Sequence, residues 1–470
     1  MKYIIYIPTL LFLFLANSLK GQTNGKVLTQ EKLIWFLDNY HPISSQATLL
    51  LKKGESNLRK ARGGFDPYLS ANLDQKQFED KKYYSLLNGG LRVPTWYGIE
   101  LKAGFDQNTG VLLNPENQVP QNGLWYTGVS ISLGKGLVID KRRAALKQAQ
   151  IFVESSVAER NVLMNNLYFD AIKQYWKWVE AWNQYQVFEE SVNLAFIRFN
   201  GVKRSYLLGD KPAIDTLEAY IQVQNRQMNR NQSFLVYQNT TLDLSNYLWF
   251  EKNTPLVITD SLRPPSFENI SLDYGNLIDS NFENMLLQLN EKHPEMQLYK
   301  YKLTTLELDR RLKADKLKPK LNINYNALNE PINNNVITNY SIENYKFGVE
   351  VGIPIFLREQ RGDLQLAKLK IQETELGQRQ KLLQLQNTVK SYYYEQLNLQ
   401  NQVALFNTAL SNYGKLLNGE KRKYNSGESS LFLINSRETK YIEAKLKLIA
   451  LKSKYNIAQS GLSWSMGKLY

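Results

Sequence analysis

The fold of this 470-residue chain follows from YKFGVEVGI, residues 345–353, in which apolar residues alternate with small or charged ones. Alternation with a period of two predicts a β-strand with one apolar face. Pro354 comes next, and no proline occurs between it and the end of the chain. A proline-free stretch of this length predicts very long helices. The chain is therefore expected to pass from a strand directly into long helices.

The same features occur twice along the chain, in the same order. The paired landmarks are GVSISL (128–133) with GVEVGI (348–353), His41-Pro42 with His293-Pro294, and Gly209-Asp210 with Gly427-Glu428. We interpret them as a tandem duplication of one unit, consisting of a helix, a β-hairpin and two long helices joined by a turn. The first repeat spans 22–250, a linker spans 251–281, and the second repeat spans 282–470.

The pattern also predicts the elements of each repeat. Strands are expected at about 65–79, 124–135, 319–329 and 343–354, and long helices at about 137–200, 213–250, 357–424 and 431–465. Shorter helices at about 29–62 and 282–316 precede the strands. In the first long helix, residues from Tyr175 to Phe199 repeat every three or four positions as a packing seam. We interpret the tryptophans in this region as packing residues. A helix of this size forms a rod on the order of 100 Å.

The start of the sequence and the composition predict a bacterial envelope protein. Residues 1–21 combine a basic start, an apolar run and a small-residue exit, which is typical of a secretory signal peptide. There is no cysteine, so neither a disulfide framework nor a thiolate metal site is expected. The net charge of +14 is spread over helical stretches in short clusters. We interpret those clusters as solvated helix faces and expect no nucleic-acid partner.

No pattern of catalytic residues emerges. The two histidines, His41 and His293, occupy equivalent places in the repeat, where a role at a helix junction explains both. Gly134 and Gly136 lack the rest of a dinucleotide-binding fingerprint. The sequence therefore predicts a protein that is not an enzyme and that uses neither a cofactor nor a metal.

Four predicted strands are too few to close a barrel. Open strand edges cannot face lipid, because unpaired backbone groups there are costly. If the strands enter a membrane, several chains must share one barrel, and three copies of four strands give twelve.

These features together resemble the TolC family of outer-membrane efflux channels over almost the whole mature chain. The residues that carry the resemblance are KYNSGESSL (423–431), Gly209 followed by Asp215, Leu217 and Ala219, Pro354-Ile355-Phe356 with Arg361, and Asn39 with Pro42. The resemblance implies a mainly α-helical homotrimer with a shared twelve-stranded membrane β-barrel and an α-helical periplasmic tunnel. It implies a location in the outer membrane of a Gram-negative bacterium, in contact with its lipid. The function that it implies is an exit duct for efflux or type I secretion, served by a periplasmic adaptor and, indirectly, by an inner-membrane pump.

The resemblance also suggests site residues. The expected adaptor-docking tip comprises Gly201, Gly209, Asp210, Tyr424, Asn425, Gly427, Ser429 and Ser430. Family members carry two aspartates after the second turn, but Leu433 and Ser436 stand at those positions here. The first-half equivalents are Asp215 and Glu218, which are candidates for an aperture ring linked to basic neighbours such as Arg422 or Lys423. The alternative is that both are ordinary first-turn residues.

Two questions stay open at this level. The first hairpin is 32 residues longer than the second, and the excess contains the strand-like WYGIELKAG (96–104). It would lengthen the hairpin outside the membrane, form a plug or rim segment, or change which strand spans the membrane. The alternative function is a soluble periplasmic coiled-coil structural or chaperone-like protein. That reading leaves the amphipathic strands without a role.

Overall fold

The computed structural model describes residues 26–251, 254–258, 262–268, 270, 282–330 and 341–470. Its helices are α1 (Gln30–Tyr40), α2 (Pro42–Arg62), α3 (Lys141–Leu207), α4 (Ala213–Ser245), α5 (Phe282–Lys292), α6 (Pro294–Asp315), α7 (Arg358–Asn425) and α8 (Leu431–Ser465). The strands of its main sheet are β1 (Tyr68–Phe78), β2 (Lys81–Pro94), β3 (Ile99–Thr109), β4 (Leu124–Ser132), β5 (Lys320–Asn329) and β6 (Tyr345–Gly352). The predicted signal peptide and part of the predicted linker lie outside the described residues.

Two helices of nearly equal length dominate the molecule. Helix α3 has 67 residues and α7 has 68, so each is about 100 Å long. Asp140 caps the start of α3, since its carboxylate accepts a hydrogen bond from the Arg143 backbone N–H at 2.9 Å. Helix α3 continues through Gly201 to Leu207, which corrects the prediction that it ends near residue 200. A single glycine weakens a helix without ending it.

Each long helix packs against the helix that follows it, α3 against α4 and α7 against α8, and α3 also packs against α8. The predicted aromatic seam lies partly in this core, where Tyr175 and Trp178 are fully buried. The indole N–H of Trp178 donates to the Thr241 hydroxyl at 2.9 Å, and the Tyr175 hydroxyl donates to the Leu28 carbonyl at 3.0 Å. Both polar atoms are therefore satisfied inside an apolar core, as the packing interpretation expects.

The two histidines act as equivalent helix caps. His41 Nδ1 accepts a hydrogen bond from the Ile43 N–H at 3.1 Å, and His293 Nδ1 accepts one from the Glu295 N–H at 3.2 Å. In each case a proline occupies the first position of the following helix, where its missing N–H has no cost. The duplicated junction therefore explains both histidines as structural residues.

The sheet is an antiparallel meander whose spatial order, β6-β5-β4-β3-β2-β1, is the reverse of the chain order. The structure corrects the strand count and the first hairpin. Residues 68–78 and 124–132 are strands, but they do not pair, because β2 and β3 lie between them. The 32-residue excess thus adds two strands to the same sheet, giving four in the first half and two in the second.

One face of the sheet is apolar across all six strands. A register row joins Leu69, Leu91, Ala103, Thr127, Ala327 and Tyr345 from one edge to the other. A neighbouring row joins Val93, Leu101, Val129, Tyr325 and Phe347. The opposite face carries Asn, Ser, Gly and charged residues. Among the residues that the structure describes, no helix is both long and apolar enough to cross a membrane.

Candidate functional site

At the end of the molecule remote from the sheet, two turns share one backbone geometry. Gly209 has φ +84° and Gly427 has φ +79°. The N–H of Asp210 donates to the Ser205 carbonyl at 2.9 Å, and the N–H of Glu428 donates to the Lys423 carbonyl at 2.8 Å. This pattern is a Schellman ending, in which a left-handed glycine closes the helix. Glycine is needed for the backbone angle, because a Cβ at either position would meet nothing within 4 Å.

The two turns meet in space, and we call this region the tip. The Lys211 ammonium lies 4.7 Å from the centre of the Tyr424 ring. Below this contact, Val202, Ala219 and Leu431 are buried together. The sequence predicted both turns, and the structure brings them side by side. Gly201 is the exception, since it lies inside α3.

The tip presents both polar and apolar groups to solvent. Asp210, Asn425, Gly427 and Ser430 are exposed, and Ser429 is half-buried with its hydroxyl bonded to the Glu420 carboxylate. The largest exposed apolar side chains are Leu207, Leu208, Ile214 and Phe432. A cluster of exposed apolar side chains around two exposed turns has the character of a protein-binding surface.

A buried polar network ties three helices together beside the tip. Arg198 on α3 makes two hydrogen bonds to the Glu438 carboxylate on α8, at 2.7 and 2.9 Å, and a third to the Asn435 side-chain oxygen at 2.9 Å. The Arg198 and Glu438 side chains are only 16% and 5% exposed. Arg226 on α4 donates to the Thr439 hydroxyl at 3.0 Å. Sequence reasoning missed this network, because its members lie far apart in the chain.

Burial makes the charge balance of this network important. The pKa of Arg226 is lowered by burial, while the nearby Glu438 carboxylate opposes that change. Glu438 thus compensates two arginines that approach it from α3 and α4. A buried charge without such a partner would be strongly destabilising.

The two candidate aperture carboxylates differ in their surroundings. Glu218 accepts a hydrogen bond from the Asn435 amide at 3.1 Å, which joins it to the buried network. Asp215 lies in the first turn of α4 and is half-buried. The sequence predicted a link from these carboxylates to Arg422 or Lys423, but within this protomer Glu218 makes a different bond. Its partner is a neutral amide on α8.

The sheet joins the helices through a fixed junction. Trp96, in the turn between β2 and β3, stacks on Phe65, which lies in a short helical turn directly after α2, with ring centres 4.5 Å apart. Glu100 at the start of β3 forms an ion pair with Arg142 of α3 at 3.6 Å. The two additional strands are therefore attached to the helical part at the same level as the others.

The polar face of the sheet is lined by paired polar groups. Lys102 donates to Asn324 at 3.2 Å, and the Asn88 amide donates to Asp106 at 2.9 Å. Gly104 lies on this face beneath the ring of Tyr126, where a Cβ would come within 2.5 Å of the ring. A glycine there leaves room for a large side chain to lie flat against the sheet. Within the described part of the chain, no three His, Asp or Glu side chains could together hold a metal ion.

Comparison with known proteins agrees with this geometry. Residues 286–468 match the family described as outer membrane efflux protein. No curated protein matches the chain by sequence.

Solved structures share the fold over almost its full length. The CmeC outer membrane channel of Campylobacter jejuni has 14% identity and a TM-score of 0.65, with 99% of this chain and 94% of that chain covered. The open-state MtrE outer membrane channel of Neisseria gonorrhoeae has 14% identity and a TM-score of 0.67, covering 94% and 89%. The outer membrane protein VceC of Vibrio cholerae has 12% identity and a TM-score of 0.64, covering 93% and 96%.

Long paired helices below an amphipathic sheet are thus the fold that this chain shares with solved outer-membrane channels. The second half of the chain therefore resembles the outer membrane efflux protein family in sequence, and the chain as a whole resembles solved outer-membrane channels in fold.

Proposed function

We propose that this protein is the exit duct of a tripartite efflux or type I secretion system. Three copies share one barrel in the outer membrane and one helical tunnel in the periplasm. Substrates pass through without chemical change, handed over by a periplasmic adaptor that an inner-membrane pump supplies. The duct itself is passive, and the energy comes from the pump.

One observation carries this proposal: an amphipathic sheet with two open edges continues directly into helices about 100 Å long. The apolar face suits lipid, and the polar face suits a water-filled path. A soluble coiled-coil protein would have to hide that apolar face. Open edges cannot remain in lipid, so the sheet needs further copies of itself.

The tip is the proposed adaptor-docking surface. Its two equivalent turns carry exposed backbone, exposed hydroxyl and amide groups, and the apolar side chains of Leu207, Leu208 and Phe432. Three copies present six such turns in a ring. Asp215 and Glu218 lie just above the turns, where three copies of each would place carboxylates around the aperture and favour cations.

The test of the duct is the mass and shape of the protein extracted from outer membranes with detergent, by native mass spectrometry and negative-stain imaging. The expected result is a trimer with a barrel and a rod on the order of 100 Å. A monomer or dimer recovered from the soluble periplasmic fraction would exclude the channel.

Docking is tested separately with Gly427→Trp in a strain that lacks the native copy. The bulky residue should abolish co-purification of the periplasmic adaptor with the channel while trimer remains in the outer membrane. Gly201→Trp is the matched control, because Gly201 is also exposed with open space around its Cα, but it lies within α3. Undiminished co-purification of the adaptor with the Gly427→Trp channel, or an equal loss with Gly201→Trp, would remove the docking assignment.

A further inference from the structure

The first half of the chain contributes two strands more than the second half, and all six strands form one sheet. We infer that each protomer inserts all six strands into the membrane and that β1 of one copy pairs with β6 of the next, giving a barrel of eighteen strands rather than twelve. This inference rests on the proposed trimeric duct and specifies the interface that builds it.

The additional strands have the same two faces as the other four. On β2, Leu87, Leu91 and Val93 lie on the apolar face, and on β3, Leu101 and Phe105 continue it toward Val129 and Trp125 of β4. On β1, Leu69 and Leu73 extend it to the edge, where both are well exposed. A plug inside the barrel would have no use for an apolar face continuous with the lipid-facing side. The pattern is that of spanning strands.

The attachment of the additional hairpin also argues against a loop outside the membrane. Its inner turn lies at the helix junction, where Trp96 stacks on Phe65 and Glu100 pairs with Arg142. Its backbone is hydrogen-bonded along its length to β1 on one side and to β4 on the other. With 14 residues in β2 and 11 in β3, both strands reach the 9–11 residues needed to cross a bilayer.

The two edges of the sheet fit each other. Strand β1 runs away from the helices because it follows α2, and β6 runs toward them because it precedes α7. An edge-to-edge contact between copies is therefore antiparallel, like every other pair in the sheet. The polar faces of the two edges carry complementary charges, with Asp74 on β1 and Lys346 on β6. The apolar faces align when Leu69 and Leu73 lie on the same side as Phe347 and Val349.

A single chain cannot close its six strands into a barrel with a water-filled path. Eight strands give an interior just wide enough for side chains to fill, so six are too few to enclose a water-filled path. Joining copies head to tail satisfies both edges and closes a ring. Because barrel diameter grows roughly linearly with strand number, eighteen strands give a cross-section about 2.25 times that of twelve.

Disulfide cross-linking in native outer membranes tests this interface, and the chain has no cysteine to interfere. Asn72→Cys on the polar face of β1 is combined in turn with Lys346→Cys, Gly348→Cys and Glu350→Cys on the polar face of β6. This set covers neighbouring registers, since a disulfide needs Cβ atoms about 4 Å apart. At least one combination should give covalent dimers and trimers on a non-reducing gel. The control is Leu73→Cys with Gly348→Cys, whose side chains lie on opposite faces.

A second set places the cysteine on β3, as Lys102→Cys with the same three β6 positions. Cross-links between copies from this set would mean that the barrel closes at β3, with four strands per copy. That result would overturn the eighteen-stranded barrel and leave the trimeric duct intact. Disulfides within single protomers, or none from either set in trimers verified by native mass spectrometry, would also overturn it. Failure to find trimers at all would instead refute the proposed duct.

Discussion

The two halves of the chain agree in their helices and differ in their strands. Both halves place a histidine cap before a proline, a helix of nearly 70 residues and a Schellman turn at a left-handed glycine. Between the histidine-capped helix and the long helix, however, the first half has four strands where the second has two. A meander accepts another hairpin without disturbing its neighbours, because each strand pairs only with the next. A helix bundle cannot take up an additional pair of helices in the same way, because each long helix packs against its neighbours along its whole length.

The strongest destabilisation should come from the core of the first half, which is richer in aromatic residues than the core of the second half. Trp178→Ala removes a fully buried indole that also bonds Thr241. The free energy of unfolding should fall by about 3–5 kcal/mol, the usual cost for a large core aromatic residue. Urea unfolding in detergent, followed by circular dichroism at 222 nm, measures it. Trp35→Ala is the control, since Trp35 is half exposed, and an equal loss there would refute the special role of this core.

A somewhat smaller loss of stability should follow when the buried ion pair between the two halves is broken. Arg198→Ala leaves Glu438 buried without its bidentate partner, and stability should fall by about 3 kcal/mol, at the lower end for a broken buried pair. The exposed pair Arg230–Glu189, with side chains 40% and 39% exposed, is the control. Arg230→Ala should cost about 0–1 kcal/mol. Similar losses in both variants would show that the buried network does not hold the halves together.

Alanine substitutions at the two glycine turns of the tip should have a smaller effect on stability, and they test whether the two turns are equivalent. Gly209→Ala and Gly427→Ala should each destabilise by about 1–2 kcal/mol, because the left-handed conformation crowds the new Cβ against its own backbone. Gly201→Ala should instead stabilise by about 0.5–1 kcal/mol, as glycine is unfavourable inside a helix. All three sites have open space around the added atom. A different sign at Gly427 from that at Gly209 would break the equivalence.

The smallest effect is a pH dependence shared by the halves. Burial lowers the pKa of His41 and of His293 below the usual 6.5, and each neutral ring accepts a backbone hydrogen bond. Stability from these caps is therefore present above pH 6.5 and is lost as the pH falls through the lowered pKa values. The thermal midpoint should drop between pH 7 and pH 5.

A double variant isolates this contribution. His41→Asn with His293→Asn retains a capping side chain that does not titrate, so the drop between pH 7 and pH 5 should be smaller. An unchanged drop would assign the pH dependence to other groups.

The sequence predicted the helices well because their signals are local. Spacing of three or four residues, the lack of proline and the glycine at each turn mark them directly. Gly201 was misleading, because a helix passes through a single glycine when its hydrogen bonds continue on both sides. The stop at Gly209 depends on a left-handed backbone angle that the sequence alone does not reveal.

The pairing of the strands and the buried polar network beside the tip were harder to predict from the sequence, for a different reason. Residues 96–104 have a strand-like pattern, but Gly89-Gly90 and Pro94 interrupt the alternation of apolar and polar residues in the segment before them. Which strands pair depends on contacts between distant segments. The same holds for Arg198 and Glu438, which lie on helices from different halves. Neither residue stands out locally from the many exposed charges on these helices.

The turn between β2 and β3 has a further consequence. Four strand ends in each protomer continue into helices, namely those next to α2, α3, α6 and α7, but this turn reverses with no helix beneath it. With all six strands in the barrel, the mouth is wider than the shaft that leads to it. Resistance to diffusion through pores in series is greatest in the longest and narrowest one. Of the two parts of the duct, the helical shaft and not the mouth then presents the larger resistance to a diffusing solute.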